Sequence, residues 1–103
     1  MVMITAPDRD TGLRVARALV DARVAACVNV VDRVTSVFHW EGKVQEEGEV
    51  LLIAKTTRER FEALRELALA EHPYDVPEII AVEIAGGAPA YLDWIASSVS
   101  VGS

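Results

Sequence analysis

A single cysteine among 103 residues cannot close an internal disulfide, nor can it supply a two-thiol metal motif. A reducing cytoplasm is the expected compartment. Basic residues are also scarce: ten Lys and Arg against sixteen Asp and Glu leave a formal net charge of −6. Without a basic stripe to neutralise phosphates, a nucleic-acid surface is excluded, and so is attachment to anionic membranes. No apolar run approaches the roughly 20 residues that span a bilayer, and no positively charged start leads into the apolar core of a signal peptide. Glycine-rich nucleotide motifs are missing. No Cys-x-x-Cys follows the first apolar run, where Ile4-Thr5-Ala6-Pro7 stands instead, and no glycine-rich loop with a following arginine is there either. Those absences remove the copper-chaperone and acyl-phosphate hydrolase readings of a small α+β chain. Ser36 has no histidine and acid partners that the sequence identifies, so no enzyme is expected.

What the chain does have is concentrated in His72-Pro73-Tyr74-Asp75-Val76-Pro77-Glu78. Each proline fixes its own φ and pushes the residue before it out of the helical region, so a helix must stop at His72 and the chain must arrive extended at Glu78. A histidine, an aromatic and two carboxylates are thereby held at the mouth of a strand.

The rest of the chain, read as one domain over residues 1–103, has the periodicities of alternating strands and helices. Val2 to Ala6 reads as a strand and Asp8 or Asp10 as a helix start, with Asp10, Arg14, Arg17 and Asp21 on a charged face and Leu13, Ala16 and Val20 on another. From Ala25 to Trp40 the residues are β-branched and aromatic, with a bend or bulge expected at Asp32-Arg33. Glu41-Gly42 reads as a turn, so Lys43 to Thr56 should return as a long hairpin, with a second irregularity at Gly48. Thr56-Thr57-Arg58-Glu59 fits a capping box that opens a helix running to His72. A last strand over Glu78 to Ala85 ends at Gly86-Gly87, and Pro89 starts a short helix carrying Tyr91 and Trp94. The predicted order βαββαβ plus a terminal helix is the ferredoxin-like α+β arrangement, an antiparallel sheet with two helices on one face. Val50 to Ala54 and Ile79 to Val82 are unbroken apolar runs, so both faces of these strands should leave water, and another copy of the chain is the economical cover.

Ala25-Ala26-Cys27-Val28-Asn29, Trp40-Glu41-Gly42-Lys43, Lys55-Thr56-Thr57, His72 to Glu78 and Tyr91-Leu92-Asp93-Trp94 occur in this order without large insertions. The pattern resembles the divalent-cation tolerance (CutA) family from about Thr5 to Trp94. It departs at Asp32, where the family usually has proline, and at Phe38, where it commonly has tyrosine. The resemblance implies a homotrimer packed around a threefold axis, with the hairpin reaching a neighbour, and a non-enzymatic role in tolerance of divalent metal such as copper. Ferredoxin-like trimers of the PII signalling class, with small ligands held between subunits, are the competing reading. A scaffold for a partner protein is a third.

Two candidate sites follow. His72 beside Glu71 offers an imidazole and a carboxylate suited to copper or zinc, against the plainer reading of His72 as a helix C-terminal cap. Adjacent helical residues do not share a face, so the pair chelates only if the helix has already ended. Trp40, Lys55, Tyr74, Glu78 and Trp94 are candidates to line a cleft for a small anion. The alternative there is a Lys55–Glu78 ion pair with the aromatics packed in an interface. Cys27 reads as a buried apolar filler with no cation beside it in sequence, and His39 as a solvated residue of the hairpin.

Overall fold

In the computed structural model, which describes residues 1–101, β1 (Val2–Ala6) leads into α1 (Arg9–Asp21). The hairpin of β2 (Cys27–Trp40) and β3 (Lys43–Lys55) follows, and a 3-10 turn (Arg58–Arg60) runs into α2 (Phe61–Glu71). β4 (Ile79–Ala81) and α3 (Pro89–Val99) complete the order. The sheet is antiparallel in the order β2-β3-β1-β4, the ferredoxin-like arrangement.

Register divides the sheet into two unlike faces. The rows Ile79–Ile4–Leu52–Val30 and Ala81–Val2–Ala54–Val28 belong to one face. Val2, Ile4, Leu52 and Ala54 there are sealed under Val15 and Leu19 of α1 and Leu64 and Ala68 of α2. The opposite row, Ile80–Met3–Ile53–Asn29, has no helix over it among the described residues, and Ile80 is 52% exposed.

Asp8 caps α1 by accepting the Thr11 N–H at 2.8 Å. The buried face of that helix is Gly12, Val15, Ala16 and Leu19, whereas Val20, grouped with Leu13 and Ala16 from sequence, is exposed. Gly12 explains the rotation: a Cβ there would meet the Val50 and Leu52 side chains at 3.3 and 3.4 Å, so its absence lets the helix backbone settle on β3.

The expected bulge exists between Val31 and Val34, with Arg33 at φ 60°. Glu41 and Gly42 both have positive φ, as a tight hairpin turn requires. Gly48 is a regular ladder position opposite Thr35, so the second irregularity is not there. Nor is there a capping box. Thr57 makes no side-chain cap, and the Thr56 hydroxyl instead donates to the Val24 carbonyl at 2.7 Å in the interior. β4 is shorter than the apolar run suggested: its pairing with β1 ends at Val2–Ala81, beyond which Val82 N–H still donates to the Met1 carbonyl.

Candidate functional site

The proline-framed turn begins where α2 stops. His72 leaves the helix with extended backbone, and its ring turns inward to become buried. Nε2 lies 2.6 Å from the Thr5 carbonyl, and Nδ1 accepts the Tyr74 N–H at 3.1 Å. A carbonyl needs a donor and an amide needs an acceptor, so the two contacts together select the neutral ring protonated at Nε2. β4 pairs with β1 only as far as Ile4–Ile79, and the Thr5 carbonyl next to that limit takes its hydrogen from the imidazole.

Tyr74 stacks at a tilt on the His72 ring, with centroids 4.8 Å apart, and its hydroxyl donates to Glu49 Oε2 at 3.1 Å. Burial first, then the Glu49 carboxylate, push the Tyr74 phenol up to about 12. Glu49 is itself buried. Arg14 closes the group from α1 by donating to the carbonyl of Glu71 at 2.8 Å, which satisfies one of the last acceptors of α2. Arg14 thus serves the end of α2 as well as the charged face assigned to it from sequence.

Lys55 lies at the other end of the sheet. It follows Ala54, the partner of Val2, whereas Glu78 precedes Ile79, the partner of Ile4. The ion pair considered for Lys55 and Glu78 is therefore not made: Lys55 Nζ donates to Asn29 Oδ1. Register also sets half-buried Cys27 directly opposite Lys55, a pairing across the β2–β3 ladder that the linear sequence hides.

Trp40 sits at the hairpin tip and is 48% exposed. Trp94 and Tyr91 stack on each other along α3, with centroids 5.4 Å apart and roughly half their surfaces open. Within one chain, then, Tyr74 and Glu78 share one end of the sheet while Lys55 lies at the other.

At the Lys55 end, a cavity of about 570 Å³ opens between β1, the start of α2, the chain after β4 and α3. Phe61, Leu92 and Ile95 give it an apolar wall. The Arg58–Glu83 ion pair stands among its lining residues. Sequence reasoning missed both Glu49 and this cavity. Glu49 lies two residues from Leu51, hence on the same face of β3, and a carboxylate continuing an apolar row was the available signal. The cavity joins residues from four segments, and no local pattern announces it. Among the described residues no group of three or more His, Cys, Asp or Glu side chains is placed to hold a metal ion, and no helix is long and apolar enough to cross a membrane.

These features define a ferredoxin-like α+β protein with a long projecting hairpin, a bonded polar cluster at one end of its sheet and a cavity at the other. The family described as CutA1 divalent ion tolerance protein matches residues 1–98. The chain belongs to that family. It is 48% identical over 95 residues to the divalent-cation tolerance protein CutA of Thermus thermophilus, covering 92% of each sequence. A solved structure of a T. thermophilus divalent cation tolerance protein superposes with a TM-score of 0.94 at 46% identity, over 96% of both chains. The chloroplastic protein CutA of Arabidopsis thaliana is 47% identical over 98 residues, and the chain spans only 54% of that relative's length.

Proposed function

We propose that the chain works as a homotrimer in the cytoplasm, without a catalytic centre, and meets copper or a similar divalent cation weakly. The observation that supports the assembly is the uncovered sheet face, where Met3, Leu51 and Ile53 remain partly exposed beside the more open Val31 and Ile80. Self-association is the means by which a small chain removes such a surface from water. The cation comes from the family description, divalent ion tolerance, and from the name of the Thermus thermophilus relative, a divalent-cation tolerance protein. Light scattering should give about three times the monomer mass. Calorimetric titration with copper and zinc should give saturable, modest heats, since a site short of four ligands holds metal loosely. A folded monomer would overturn the assembly, and an absence of heat would overturn the cation.

The cavity beside Phe61 and Leu92 favours a second reading, a module for a small ligand. A panel of nucleotides and metabolites in the same titration separates the two: a saturable heat with one of these, and none with metal, selects the second.

A further inference from the structure

We infer that His72 is a positioning residue, a latch that fixes the turn between α2 and β4, and that the cation of the proposed function does not bind through its ring. The inference rests on that reading only for the choice of metal. A ligating imidazole must present a lone pair at one nitrogen and direct it outward. Here Nδ1 spends its lone pair on the Tyr74 N–H, and Nε2 carries the proton that satisfies the Thr5 carbonyl. To take a metal, the ring would have to surrender one of these bonds. Loss of the first frees the amide that starts the proline-framed turn, and loss of the second strands a carbonyl beside the limit of β4 pairing. His72 is also buried, and among the described residues no metal-holding group of His, Cys, Asp and Glu side chains includes it.

The latch has an object besides itself. By fixing the Tyr74 backbone, His72 aims the phenol at Glu49, and the ring stacking keeps it there. The buried Glu49 carboxylate is thereby given a donor on the sheet face that carries Leu51. His72, Tyr74 and Glu49 form one unit whose parts should fail together.

The test uses the full chain and zinc ion alone. Nitrogen-15 spectra should show His72 as the neutral ring with its proton on Nε2, with shifts that do not move as zinc is added. His72→Ala should lower Tm by roughly 5 to 15 °C while changing zinc affinity less than about twofold. His72→Gln, which keeps an N–H near the position of Nε2, should recover part of that loss. Combining His72→Gln with Tyr74→Phe should cost less than the sum of the two. A ring protonated at Nδ1, His72 signals that shift with zinc, or a loss of zinc affinity beyond about tenfold in His72→Gln would overturn the inference. If the wild-type chain takes up no zinc, zinc is removed from the proposed function and the copper titration decides the cation. The tautomer, the rescue and the non-additivity then decide the latch by themselves.

Discussion

The two faces of one sheet face different solvents although they are built from the same strands. On the covered face, Ile4 and Leu52 are completely buried between α1 and α2. On the other, Ile53 and Met3, each one residue away in sequence, are only half-buried. The alternation of a strand cannot produce this difference, because the runs Val50 to Ala54 and Ile79 to Val82 are apolar throughout. The difference lies in the helices: α1 and α2 of this chain both pack on the same side of the sheet. A sequence that invests equally in both faces is what the proposed self-association would use.

The strongest way to break this comparison is to damage each face in turn. Leu52→Ala removes side-chain volume from the sealed layer and should cost about 2 to 5 kcal/mol in chemical denaturation, whatever the state of association. Ile53→Asp should act differently. It places a carboxylate on the open face, so light scattering should register loss of the proposed assembly while circular dichroism retains the α+β signature of the separated chain. Equal unfolding by both substitutions would erase the distinction between the faces.

A smaller effect probes the end where the turn meets the open face. The Tyr74 phenol is pushed from 10 up to about 12. Its contribution to stability is present below the unfolded value near 10 and is lost as pH rises through 12, since the unfolded chain releases the proton first. Denaturation series at alkaline pH should show this decline, and Tyr74→Phe should flatten it. The smallest effect belongs to the covered side, at the exposed start of α1. The Thr11 backbone N–H holds the Asp8 carboxyl below its usual range. That stabilisation is present above the unfolded carboxylate value and fades as pH falls towards the lowered one. Asp8→Asn keeps a capping oxygen and should remove only the pH dependence.

The architecture was legible because its signals are local and repeat along the chain. The proline frame ended α2 at His72, Glu41-Gly42 closed the hairpin, and Pro89 opened α3. Other features depended on partners far away in sequence. Thr56 matched a capping box, but the Val24 carbonyl, 32 residues away, claimed its hydroxyl. The grouping of Leu13, Ala16 and Val20 overlaps the buried face of α1 only in part, because a glycine contributes nothing to apolar periodicity, although the missing Cβ of Gly12 is what admits Val50 and Leu52. The cleft residues illustrate the same limit: Lys55 and Glu78 both stand at strand ends, and only the register shows that these are opposite ends.

The bulge at Asp32-Arg33 has a further consequence for how this chain can change. Between Cys27 and Val31, pairing is tied to the packed layer, and slipping by a single residue would turn Val28 and Val30 away from the helices. From Val34 to Trp40, among the described residues, the hairpin pairs only with its own return strand, so its register there is not tied to the packed layer. The bulge therefore works as an expansion joint. Residue pairs can be added or removed beyond it, changing the reach of the hairpin by about 6 to 7 Å for each two-residue step on both strands. The length of the projecting arm and the integrity of the core can thus be varied separately.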